Sequence, residues 1–205
     1  MRPFNKLLFL FSFLVCIGSH AQDFGASINL GLTTSQVFGD NQGGFNKAGV
    51  HAGVFVDRAL KSMNGKIEFG LQFSQKGSRM SADIREKTGQ DYKIQLAYLE
   101  IPFHYRLKIY PRVEAIGGLS AGILVSEYEG DADEAYPGFL PFNPLEIAGR
   151  LGVSYELSSS SKISAILSQS LSPIRSHAFG ATNRLNYGML NNVIEFGYSY
   201  HFGTP

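Results

Sequence analysis

The chain has 205 residues, with 18 basic against 17 acidic side chains, 13% aromatics, 23 glycines, one cysteine and no tryptophan. So balanced a charge leaves no basic face for nucleic acid. The lone cysteine excludes a disulfide framework.

The first residues, M-R-P-F-N-K, place Arg2 and Lys6 ahead of an apolar run over 7–17, followed by Gly18-Ser19-His20-Ala21. A basic start, a short apolar centre and a small-x-small exit describe a secretory signal peptide over 1–21, cleaved before Gln22. The run is too short to span a bilayer, which needs ~20 apolar residues. Val15 before Cys16 departs from a lipoprotein site, and Cys16 leaves with the signal. Loss of Arg2 and Lys6 leaves 16 basic side chains against the 17 acidic ones over 22–205. No later apolar run is long enough for a membrane helix, so a membrane form must be a closed β-barrel, in which every backbone group finds a partner.

Eight strand-like stretches follow, most alternating in polarity with the period of a strand. They cover 24–32, 48–57, 65–75, 92–107, 112–126, 145–156, 162–171 and 190–202. The third is among the cleanest: Ile67, Phe69, Leu71 and Phe73 oppose Lys66, Glu68, Gly70, Gln72 and Ser74. In the fourth the apolar pattern changes phase after Tyr98, passing to Leu99, Ile101, Phe103 and Tyr105. A β-bulge near Pro102 would switch faces in this way. The sixth sends Leu145, Ile147, Leu151, Val153 and Tyr155 one way and Glu146, Arg150, Ser154 and Glu156 the other. In the eighth, Leu190, Ile194, Phe196, Tyr198, Tyr200 and Phe202 share a face opposite Glu195 and Gly197.

Connections after the second, fourth and sixth strands are short. Those after the first, third, fifth and seventh are long. This alternation is that of an outer-membrane barrel with short periplasmic turns and long external loops. The expected fold is all-β: an eight-stranded antiparallel transmembrane β-barrel, an up-and-down meander with its greasy face toward lipid. The expected location is the cell outer membrane.

Eight strands enclose a lumen just wide enough for side chains to fill. The inward Glu68, Glu114, Glu146, Arg150 and Glu195 are therefore expected to form a lumen ion-pair network, with Arg150 the natural partner of several acids. No acid–base–nucleophile spacing accompanies them, and no catalytic, cofactor or metal residues are assigned. The loop over 127–144 begins acidic, with Glu127, Glu129, Asp131, Asp133 and Glu134. That density of oxygen ligands suits Ca²⁺, but the spacing departs from the twelve-residue calcium loop, and a solvated loop is expected. Its second half presents Tyr136, Phe139, Leu140 and Phe142. These form either a binding patch for a partner protein of the envelope or exterior, or a segment folded over the barrel mouth. The histidines are scattered, without zinc-ligand spacing. Ser172 or Ser176 beside His177 is the one cluster in the outer loops that a lipid-modifying enzyme would use.

The final octet, E-F-G-Y-S-Y-H-F, resembles the C-terminal assembly signal of outer-membrane barrels. Glu195 matches its polar position, Gly197 its glycine, and Tyr200 and Phe202 its alternating hydrophobic pair; Gly203-Thr204-Pro205 follow, where many relatives stop. The resemblance implies that the barrel assembly machinery reads this strand during biogenesis. The chain over 22–205 also resembles the PorT-like (porin-family) outer-membrane β-barrels. The motifs are Gly49 and Gly53, the run Phe73, Gln75, Lys76 and Gly77, Y-L-E-I-P from Tyr98 to Pro102, and I-G-G-L-S-A-G from Ile116 to Gly122. That resemblance implies a membrane-embedded barrel and allows a place in a secretion or gliding apparatus; the expected role is non-enzymatic, structural or loop-mediated binding. A narrow pore, a lipid-modifying enzyme and a soluble lipocalin-like barrel with inverted faces are the competing expectations.

Overall fold

The computed structural model describes residues 24–40, 43–60, 63–80, 92–130, 140–176 and 188–202. They form eight strands: β1 (Phe24–Phe38), β2 (Lys47–Leu60), β3 (Gly65–Arg79), β4 (Lys93–Tyr110), β5 (Val113–Gly130), β6 (Leu145–Glu156), β7 (Ser161–Ser170) and β8 (Leu190–Phe202). Each pairs antiparallel with the next, and β8 closes on β1. Closure leaves no sheet edge, the condition for a β structure within lipid. The proposed signal segment lies outside the described residues.

The register sets the shape. Stepping from partner to partner from Ala26 leads through Val56, Phe69, Phe103, Leu119, Gly149, Gln169 and Asn192. It returns to β1 at Gln36, ten residues beyond Ala26. With a rise of about 3.3 Å per residue and strands about 4.8 Å apart, this stagger tilts the strands by roughly 40°.

The alternation read from the sequence is carried through the wall. Leu32, Val54, Ile101, Ile123, Leu151, Leu167 and Phe196 are exposed on the outer surface. The lumen side buries Glu68, Gln72, Lys76, Glu100, His104, Arg106, Arg150 and Glu195. A soluble barrel would have these faces exchanged. Tyr110, Tyr155, Tyr198, Tyr200 and Phe202 stand exposed at the end that carries the short turns, as an aromatic girdle would.

The expected change of face in β4 is corrected. Ile94, Leu96, Tyr98, Glu100, Pro102, His104 and Arg106 are all buried, so even positions point inward from Ile94 to Arg106. The apolar pattern crosses over because the outer third of the lumen is itself apolar. The irregularity near Tyr98 lies on β5: Ala97 pairs with Ser126 and Tyr98 with Leu124, so Val125 is the extra residue; a second shift, at the short turn, makes Ile109 of β4 the extra residue between the Lys108–Glu114 and Tyr110–Val113 pairs. Pro102, which has no amide to donate, sits opposite an interruption of the β3–β4 ladder, between the Phe69–Phe103 and Gln72–Glu100 pairs. Several strands also run past their expected ends on the long-loop side. The first loop shrinks to 39–46, and Lys76, placed in a loop by the sequence reading, becomes a strand residue aimed into the lumen.

Inward glycines make room for large neighbours. A Cβ at Gly70 would stand 2.5 Å from the Phe55 ring and closer still to the Val54 carbonyl oxygen. Gly70→Ala is expected to cost about 1–3 kcal/mol, as overpacked cores do. The check is the urea midpoint for loss of the compact, heat-modifiable band. An unchanged midpoint would show that the Phe55 ring and the Val54 backbone both give way freely.

Candidate functional site

The lumen holds two ionic layers. In the outer layer Arg150 of β6 is fully buried and reaches Glu100 of β4 at 2.9 Å and Glu195 of β8 at 2.5 Å. Lys76 of β3 reaches Glu100 at 2.5 Å and Glu146 of β6 at 2.7 Å. Neutral donors complete the carboxylates: Gln72 Nε2 donates to Glu195 at 3.2 Å, Asn191 Nδ2 to Glu146 at 3.1 Å, and the Ser170 hydroxyl to Glu146. Three carboxylates thus share two cations within the layer.

In the inner layer, toward the short turns, Arg106 Nε lies 2.9 Å from Glu68, and its Nη1 lies 3.4 Å from Glu114. Lys162 bridges Glu114 at 2.7 Å and Glu156 at 2.9 Å. His104 Nδ1 meets Glu68 at 3.0 Å, and its ring stacks on Phe55 with centroids 6.2 Å apart. His51 Nε2 meets Asn29 Oδ1 at 2.8 Å, and Asn29 donates to Ser199. A cavity of about 10 Å³ beside His51, His104 and Glu195 has room for about one water. His51 Nδ1, His104 Nε2 and Glu195 Oε1 are buried there without protein partners, and a water would satisfy such groups.

Each cation in these layers ties strands together. Taking such charges out of water is costly, and only close pairing with added hydrogen bonds repays it. The arrangement therefore specifies one packing of the wall, with each long charged side chain matched to acids on other strands.

Above the ionic layers sits an apolar cap of Val37, Ile94, Leu96, Tyr98, Phe142, Ile174 and Met189. Lys76 Nζ lies 5.0 Å from the Tyr98 ring centroid, joining cap to ionic layer. The cap is stitched from two loops. Asn143 N donates to the Ile174 carbonyl at 2.7 Å, and its side chain to that of Pro173 at 2.7 Å. Ile174 N donates to Met189 O at 2.8 Å. Arg175 pins the edge, stacking over Phe142 at 4.6 Å and meeting Glu129 at 2.6 Å, while the Tyr92 hydroxyl also donates to Glu129.

The sequence-derived residues fall as follows. Arg150 contacts Glu195 but none of Glu68, Glu114 and Glu146; Arg106, Lys162 and Lys76 hold those three. Arg150 does partner two acids, Glu195 and Glu100; the acids lie at different heights, so no single side chain spans them all. Glu100, Lys76, Arg106, Lys162 and His104 belong to the network without having been assigned to it from the sequence. Glu100 sits in the Y-L-E-I-P run and could have been found from its alternation with Leu99 and Ile101.

Phe142 is buried at 8% exposure in the cap, so at this residue the folded-over expectation holds and an exposed partner contact is corrected. Tyr136 and Phe139, Asp131, Asp133 and Glu134, and His177 lie outside the described residues. The Ser172 hydroxyl accepts the Ile147 amide at 2.9 Å, which fixes a loop rather than arming a nucleophile. In β8, Tyr200 and Phe202 are on the outer face, packed edge-on at 5.3 Å. Gly197 faces inward, where a Cβ would come 2.9 Å from the Asn29 amide and 3.1 Å from His51. Among the described residues no group of His, Cys, Asp and Glu is arranged to hold a metal ion.

Comparison with solved structures gives the same architecture. Ail, the attachment invasion locus protein of Yersinia pestis, in complex with the heparin analogue sucrose octasulfate, superposes with a TM-score of 0.51 at 14% identity, covering 88% of this chain and 100% of that one. Neisserial surface protein A gives 0.51 at 9% identity, covering 88% and 98%. At these identities the likeness is one of fold. No curated protein sequence matches. The profile of the outer membrane protein beta-barrel domain matches residues 20–203. With an apolar exterior, an ionic lumen and a closed eight-stranded wall, the chain is an integral outer-membrane barrel and belongs to the outer membrane protein beta-barrel domain family.

Proposed function

We propose that this barrel is a closed, non-enzymatic element of the outer membrane that acts through its surface and outer loops rather than by conducting solutes. The observation that carries this reading is the filled lumen: two ionic layers are roofed by the Tyr98–Phe142–Ile174 cap. The finer placement among PorT-like barrels, in a secretion or gliding apparatus with a protein partner in the envelope or outside, rests on the motifs quoted above. Export by a signal cleaved after Ala21 and insertion by the barrel assembly machinery, reading Glu195, Gly197, Tyr200 and Phe202, belong to the same proposal.

Planar-bilayer recording of the purified full chain tests the closed lumen. The expected result is a membrane without steady single-channel steps. A stable open conductance would replace this reading with that of a narrow pore.

A further inference from the structure

We propose that Arg79 and Lys93, side by side on the outer wall at the rim above β3 and β4, bind the phosphate of a lipid headgroup in the outer leaflet. The two residues are direct cross-strand partners. They share the outward phase: Lys93 alternates with the buried Ile94 and follows the exposed Leu99 and Ile101 in parity. Arg79, opposite it, is exposed.

Their height is set by the neighbouring strand. The outward residues Leu99, Ile101, Ile123 and Val125 are exposed and apolar. One level higher, Tyr128 faces outward opposite Gln95, the place an interfacial aromatic takes. Lys93 lies two residues beyond Gln95, which at the wall's tilt is about 5 Å farther from the bilayer centre. That is the headgroup level, where the phosphates of an anionic leaflet lie.

The chemistry matches. Like charges placed directly opposite on a sheet repel, and the repulsion of Lys93 and Arg79 extends to Lys47 on β2. Among the described residues no carboxylate shares their face: the outward neighbours are Gln75, Gly77, Gln95, Ala97, Ser126 and Gly130. Neither Arg79 nor Lys93 takes part in the ion pairs that satisfy the lumen cations. A phosphate bridging a guanidinium fork and an ammonium would turn this repulsion into attraction.

The test uses the full chain in two vesicle types: phosphatidylcholine alone, and phosphatidylcholine with one part in five, roughly, of a lipid A bearing phosphate monoesters. Retained lipid is measured by native mass spectrometry after detergent extraction. R79Q/K93Q is expected to retain the phosphorylated lipid roughly 30-fold more weakly, the effect of two near-surface cations, while keeping its heat-modifiable fold in phosphatidylcholine. K108Q/R112Q, with the same charge loss at the opposite rim, is expected to retain it as the unaltered chain does. Equal retention by R79Q/K93Q and the unaltered chain would overturn the proposal, as would an equal loss in K108Q/R112Q. Displacement of the lipid by millimolar inorganic phosphate would also overturn it, by showing a site for soluble anions.

Discussion

Arg150→Ala is expected to destabilise the barrel by about 3–5 kcal/mol, because it leaves Glu100 and Glu195 charged and buried without their shared cation. The structure gives the reason for so large an effect: Arg150 is fully buried, both partners lie on other strands, and no solvent reaches the group. The measurement is the urea midpoint of the heat-modifiable band in detergent or vesicles. A companion variant separates charge burial from loss of packing. R150M/E100Q/E195Q removes the arginine and both of its acids while leaving Lys76 paired with Glu146. It is expected to recover most of the loss, since replacing a whole buried ion set with neutral groups is often close to neutral. A cost below about 1 kcal/mol for Arg150→Ala would mean that water or a mobile ion already compensates the two acids, and the closed lumen would have to be abandoned.

The second large effect is expected on the outside. Leu151 is 68% exposed in the middle of β6, between Gly117 and Leu167 on its neighbours. Leu151→Arg is expected to cost about 2–4 kcal/mol in vesicles, as arginine does at the bilayer midplane. Tyr110→Arg, at the short-turn rim, should cost about 0–1 kcal/mol. On a water-exposed surface the two would be alike and small. Equal effects in a vesicle unfolding series would show that β6 does not cross the bilayer at Leu151.

The wall was legible in the sequence because lipid and lumen impose opposite demands on alternate residues. Leu145 to Glu156 and Leu190 to Phe202 carry that contrast so cleanly that their observed bounds equal the expected ones. Strand ends were harder to read. Lys76 and Arg79 look like loop residues because they are charged, yet both continue β3: Lys76 points into the ionic lumen and Arg79 stands exposed at the rim. In β4, Ile94, Leu96 and Tyr98 mimic a lipid face because the outer lumen is apolar; alternation reports a contrast between faces but not which face is inside. The ion network was legible only as a set of inward residues. Which acid meets which cation depends on stagger, and stagger is a property of all eight ladders together, invisible in any one strand. The cap was hidden for the same reason. Phe142 belongs to the connection between β5 and β6, and Ile174 and Met189 to the one between β7 and β8, and they become neighbours only when these two loops fold in over the mouth.

The ionic layers also divide the wall unevenly. Their buried links join β3 to β4 and β6, β4 to β5 and β6, β5 to β7, and β6 to β7 and β8. β1 contributes only neutral groups to the lumen bonds, and β2 adds His51 and, at the short-turn rim, Asp57 to Lys66. Mechanically, six strands are bolted into one stave assembly, and the first hairpin is held by its backbone ladders, a few uncharged clasps and the rim contacts of Asp57 with Lys66 and His201. Under tension the vessel would part along that hairpin, and in assembly the hairpin is the natural last plank to be fitted against β8.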